Sequence, residues 1–276
     1  AREAARRIQC SNNLKQLGTA IHTYLGDHEM FPAGVSYHPL WGDTRTPLDE
    51  ITGKGWIIDI LPFLEQRQLY NEFKPGLVGQ WPAGGIGRPE CAEAMKTRTA
   101  ELQCASDPTV HENSTEQWQW FGYEVALTSY KGVMGDNRMG GSYSVHPGSE
   151  PSCTISRSCP GIFWRFSFLN PVKTKDVTDG LSNTLMVGHS RPRYFPCSAA
   201  YFGNGDYAST YAPINYVPQP FDRAEWWNWW GFSSDHPGGA PFCMADGSVQ
   251  FLDEEIDYPL YRALSTKAGG ESVEFP

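Results

Sequence analysis

The sequence predicts an α+β fold: one long N-terminal helix followed by a mainly antiparallel, loop-rich β body. Three observations predict it. An apolar stripe at helical spacing occupies only the opening residues, and short alternating runs bounded by Gly and Pro fill the remainder. The 28 Gly and 21 Pro punctuate 276 residues that are 40% hydrophobic and 19% charged, a balance that is neither disordered nor collagen-like.

The helix comes first. Cys10, Leu14, Leu17, Ile21 and Tyr24 recur at alternating spacings of four and three, which places them on one face, while Glu3 and Arg7 can pair on the polar side. The pattern ends near Gly26 or Asp27, ahead of Phe31 and Pro32. A helix start ordinarily carries a Ser, Thr, Asp or Asn cap and acids in its first turn; here Arg2, Arg6 and Arg7 crowd the positive end of the macrodipole. The expectation is a helix that begins upstream of Ala1. The plainer reading is an ordinary helix with a frayed end.

Pro32, Gly34, Pro39, Gly42 and Pro47 then mark a loop to about Gly55. Residues 56–73 read as one or two short helices, with Pro62 kinking the segment or opening its second piece. Residues 76–89 form another Gly/Pro loop, and 90–98 a further short helix. Strands are expected at 101–104, 126–134, 161–168, 184–188 and 229–233. The strongest hairpin puts Phe242 and Met244 before an Asp246-Gly247 turn and Val249 and Phe251 after it. A last short helix should take Asp257 as N-cap and Pro259 in its first turn, and stop at Gly269-Gly270.

Charge and cysteine content narrow the function classes. The 22 basic and 31 acidic residues give a net charge of −9, which argues against nucleic acid as a partner. Residues 1–16 alone carry +3, leaving −12 on the rest. No apolar run reaches the roughly 18 residues that would read as a membrane span. Seven cysteines without a CxxC pair indicate an oxidising compartment and up to three disulfides. Cys153 with Cys159 would close a local loop, and Cys10 with Cys104 would tie the helix to the body; the alternative is buried thiols acting as small hydrophobes.

The chemistry-bearing residues are sparse. Seven scattered histidines form no HExxH, and there is no GxSxG elbow, so an enzyme is not expected. Asp235-His236 with Asp246 is the sharpest cluster, able in principle to bind a metal or move a proton, as in a metal-dependent hydrolase. The preferred reading is structural: Asp246 makes a turn and His236 bonds across the loop into the hairpin. Calcium is a softer candidate cofactor, with oxygen ligands from Asp176, Asp179, Ser182 and Asn183, from Asn204 and Asp206, or from Asp246. Trp226, Trp227, Trp229 and Trp230 offer flat faces for polysaccharide or protein contact, against the alternative that they fill a core short of aliphatics.

These blocks together resemble a known family. The opening AREAARRIQCSNNLKQLGTAIHTYLGDHEMFPAG resembles the stretch after the membrane helix in type IV pilin-like proteins and pseudopilins. The closest likeness is to a pilin-like family of planctomycete-type bacteria marked by a His-x9-Asp-Gly signature, matched here by His236, Asp246 and Gly247. GWIIDILPFLEQRQLYNEF, LQCASDP and VKTKDVTDGLSNTLMVG extend the likeness almost end to end. One departure is His189, where the family usually has an acid after its SNT block.

The resemblance implies a pilin-like fold in which residues 1–27 are the C-terminal part of a pilin-type helix, its membrane half missing, and 28–276 form one globular head. It implies a precursor with a basic leader and hydrophobic helix, cleaved and methylated by a prepilin peptidase and anchored in the inner membrane. The subunits would then pack through their N-terminal helices into a pilus-like or pseudopilus-like filament, with pilus or type II secretion machinery as partner and the head in the periplasm or outside the cell. Pseudopilins often bind calcium in C-terminal loops, which adds weight to that candidate. A polysaccharide-binding module on the same scaffold is the alternative.

Overall fold

The computed structural model describes residues 2–40, 46–138, 146, 148, 152–217, 219, 222, 224–228 and 230–271. The apolar stripe forms helix α1 (Arg2–His28), which buries Cys10, Leu14, Leu17, Gly18, Ala20 and Ile21. Glu29, at φ 58°, closes the final turn by donating its N–H to Leu25 O at 2.9 Å. None of residues 2–9 is buried. The core contribution of the helix therefore begins at Cys10.

Helix α1 packs on a five-stranded sheet of β1 (Tyr130–Val133), β2 (Leu185–His189), β3 (Tyr207–Ala208), β4 (Gly239–Met244) and β5 (Val249–Asp253), in the order β3-β1-β2-β4-β5. The β1/β2, β2/β4 and β4/β5 pairs are antiparallel and β1/β3 is parallel, so the sheet is mixed and the fold is α+β. Every residue of β1, β2 and β4 is buried, as expected of strands covered on both faces, whereas β5 is a partly exposed edge. Gly18 sets the helix-to-sheet distance: a Cβ there would lie 2.7 Å from Cys243 Sγ of β4. Phe242, pointing to the opposite face, meets Phe232 at 5.1 Å and Tyr261 at 6.0 Å between ring centroids. Tyr261 belongs to α5 (Tyr258–Ala263), capped by Asp257 Oδ1, which accepts the Leu260 N–H at 2.9 Å.

The segment around Pro62 resolves into α2 (Trp56–Ile60), a 3-10 turn (Leu61–Leu64) containing that proline, and α3 (Arg67–Phe73). A fourth short helix, α4 (Ala92–Lys96), follows. No helix among the described residues is long and apolar enough to cross a membrane.

Several expected strands are not formed. Residues 101–104 enter a 3-10 turn (Ala100–Leu102) instead, because this segment is fastened to α1: Asn13 Nδ2 donates to Ala100 O and Gln103 O, and Cys104 is bonded to Cys10. Of 126–134 only Tyr130–Val133 forms a strand, and Leu127 makes an isolated antiparallel bridge to Ala199. In 161–168 only the first residues bond to the end of β1, where Ile162 and Phe163 N–H groups share Val133 O. The described residues of 229–233 form no strand; the tryptophans before them coil into a 3-10 turn (Trp226–Asn228). Helix α5 also ends at Ala263, before Gly269-Gly270.

Candidate functional site

The His-x9-Asp-Gly signature straddles β4, with His236 before the strand and Asp246 after it. Ser234 shapes the first end: its Oγ accepts the His236 N–H at 3.1 Å and donates to Gly239 O at 2.6 Å. The His236 side chain is fully buried. Its Nδ1 donates to Glu3 Oε1 at 2.7 Å, while its Nε2 lies 3.4 Å from Cys104 Sγ. Glu3 arrives there because it sits two helical turns before Cys10 on the same face of α1. Burial opposes its charge, but hydrogen bonds from His236, Ser106 and Arg6 hold the carboxyl below its ordinary value.

A second imidazole stands beside the first. His189 ends β2, with its ring centroid 5.8 Å from that of His236. Its Nδ1 donates to Ser233 O at 2.7 Å, and its buried Nε2 has no hydrogen-bond partner among the described residues. Burial lowers its pKa to about 3, so the ring is neutral. Cys10, Cys104 and His236 bring their ligand atoms within 4.8 Å of one another, with the two sulfurs joined in a disulfide.

The other end of the signature is a backbone device. Asp246 Oδ1 accepts the Ser248 N–H at 2.8 Å, Gly247 adopts φ 81°, and Gly247 O accepts from Lys15 Nζ at 2.8 Å. Six strand residues, roughly 20 Å of extended chain, separate this turn from His236. A shared metal or proton site of His236 with Asp246 is thereby corrected: the pair cannot meet. Asp235 instead pairs with Arg191 at 3.5 Å and with Arg193.

The candidate calcium ligands are dispersed and engaged elsewhere. Asp176 Oδ2 accepts the Lys173 N–H, and Asp179 accepts the Gly269 and Gly270 N–H groups. Asn204 Oδ1 accepts from Arg165 and Tyr207, and Asp206 Oδ2 accepts the Trp56 N–H at 2.6 Å. Burial raises the Asp206 carboxyl to about 7 and lowers the nearby buried Lys131 to about 7. Asp176 and Asp179 lie in one loop, Asn204 and Asp206 in another and Asp246 in the β4–β5 turn, the separate groups in which the sequence offers them.

Both cysteine pairs considered in the sequence are bonded, Cys10 to Cys104 and Cys153 to Cys159. Cys91, Cys197 and Cys243 are buried thiols, and burial pushes Cys243 up to about 12, which makes it a poor nucleophile. Trp230 is core: its Nε1 donates to Tyr207 O at 2.9 Å and its ring meets Phe195 at 4.8 Å. Trp227 is half-buried against the core, while Trp229 and the side chain of Trp226 lie outside the described residues. A concave aromatic site occurs elsewhere, a cavity of about 330 Å³ lined by Trp81, Trp120 and Tyr123 with Arg88, Gln119 and Glu124 at its polar positions. Sequence reasoning missed it because Trp81 comes from one loop and Trp120 and Tyr123 from another, about 40 residues on. It also missed Glu3 at His236; the only local signal was a lone acid among the opening arginines.

The family described as a protein of unknown function, DUF1559 (SBP_bac_10), matches residues 1–195 and 197–258, and the chain belongs to it. No curated protein and no solved structure matches the chain.

Proposed function

We propose, with that family membership as the premise, that the chain is a structural subunit of a pilus-like or pseudopilus-like surface assembly. In this reading α1 is shared between the head and the filament, and the precursor is held in the membrane through a segment preceding α1. The observation that supports it most is the division of α1: residues 10–21 supply a layer of the head's core, while residues 2–9 reach the head through the side chains of Glu3 and Arg7 and leave Ile8 63% exposed. An exposed apolar side chain on the outward face of an otherwise well-packed helix suits contact with a neighbouring helix. Thin-section and negative-stain imaging of cells producing the full-length protein, with antibody to the head, should show labelled filaments or short fibres. Uniform membrane labelling without any fibre would overturn the reading.

A glycan-binding head is the second reading, supported by the Trp81, Trp120 and Tyr123 cavity, which combines aromatic planes with side chains able to bond hydroxyl groups. A glycan array should then lose signal for Tyr123→Ala and keep it for Trp227→Ala.

A further inference from the structure

We propose that Cys10, Cys104 and His236, with His189 as the fourth ligand, form a zinc site that opens when the Cys10–Cys104 bond is reduced. The argument starts from the two imidazoles. Carbonyl and carboxylate oxygens only accept, so the bonds from His236 Nδ1 to Glu3 and from His189 Nδ1 to Ser233 O place a proton on each Nδ1. Each Nε2 is thereby left as a bare lone pair, the form that ligates a metal, and a carboxylate or carbonyl behind the ring is the usual partner of a zinc-bound histidine. On His189 that lone pair is buried and has no hydrogen-bond partner among the described residues.

Distances agree with this chemistry. Tetrahedral zinc with Zn–S near 2.3 Å and Zn–N near 2.0 Å separates a sulfur from a nitrogen ligand by roughly 3.6 Å. Cys104 Sγ and His236 Nε2 are 3.4 Å apart, so this edge of the tetrahedron already exists. The two sulfurs, now bonded, must part to roughly 3.8 Å in the same geometry, and His189, which stands outside the group of ligand atoms lying within 4.8 Å of one another, must swing its Nε2 toward them. Two soft thiolates with two imidazoles select zinc over calcium or magnesium.

The chemistry balances with a dithiol as reductant. It delivers two electrons and two protons to the protein disulfide, breaking the S–S bond and giving two thiols, and is itself closed to a cyclic disulfide. Zinc then replaces the two thiol protons, which leave to solvent. The protein thus holds either the covalent bond or the metal between α1 and residue 104, never both.

The test uses the purified chain, oxidised or reduced with dithiothreitol that is removed anaerobically before zinc is added. One equivalent of zinc should be retained by the reduced chain and none by the oxidised chain, measured by mass spectrometry of the metal. Cobalt in place of zinc should give a thiolate charge-transfer band. Cys104→Ser should abolish retention, His189→Phe should weaken it, and Glu3→Gln, at a partly exposed residue, should weaken it by roughly 10- to 100-fold with the fold intact by circular dichroism. A reduced chain that stays folded and takes no zinc, or one that unfolds on reduction, overturns the site. An unchanged affinity in His189→Phe overturns the role of His189.

Discussion

The two ends of β4 carry one signature and do different work. At the first end, His236 joins residues far apart in the chain: Glu3 and Cys10 on α1, Cys104 in a loop and His189 on β2. At the second, Asp246 and Gly247 act mainly within four residues, bending the chain from β4 into β5, with Lys15 holding the turn to α1. A motif compact in sequence need not be compact in space. Here the nine intervening residues carry a central strand of the sheet, so the signature fixes a distance between two functions.

Mutations at the two ends should separate accordingly. The largest effect is expected for His236→Ala in the oxidised chain, about 3 kcal/mol of unfolding free energy by urea titration, because a fully buried ring and the partner of Glu3 are both removed. If that variant costs no more than a turn substitution, the contrast between the ends collapses. Gly247→Val should cost about 2 kcal/mol through its left-handed φ, and the added side chain meets His22 within 3.2 Å. Asp246→Ala forfeits one turn hydrogen bond, about 1 kcal/mol.

The smallest effect tests whether the pH response lies at either end. The Asp206 carboxyl, ordinarily at 3.8, sits at about 7 when folded, chiefly through burial. A group so raised contributes stability that is complete below about pH 4 and lost as pH climbs through about 7. Lys131, lowered from 10.5 to about 7, acts on the alkaline side of that window. Unfolding of Asp206→Asn should therefore depend less on pH between about 4 and about 7 than that of the parent chain. An unchanged slope would show that Asp206 does not set this loss of stability with rising pH; Glu3 at the His236 end, whose carboxyl is lowered, would act with the opposite sign and lose its contribution as pH falls.

What was legible in the sequence was local. The stripe through Cys10, Leu14, Leu17 and Ile21 marks α1, the Asp246-Gly247 turn marks its hairpin, and Asp257-Tyr258-Pro259 marks the start of α5, because each signal spans a few residues. Strands at 101–104 and 161–168 had suitable composition and no ladder partner, since pairing is decided by distant chain. The Trp226–Trp230 run could be read from composition either as core or as a partly exposed face; Trp230 takes the core, against Tyr207 and Phe195. At the candidate site His236 was visible, but Glu3 lies 233 residues away and only the fold brings them together.

The Cys10–Cys104 bond has a mechanical consequence. Tension applied to α1 from its N-terminal turns reaches the body at Cys10, the first residue of the helix buried in the core. In the oxidised chain the force passes covalently into residue 104 and on towards β1, where the Cys104 N–H is held by Ser129 Oγ. The apolar contacts of Leu14, Leu17 and Ile21 are then shielded from shear, and pulling at that end would rupture the head as a unit before peeling the helix from the sheet.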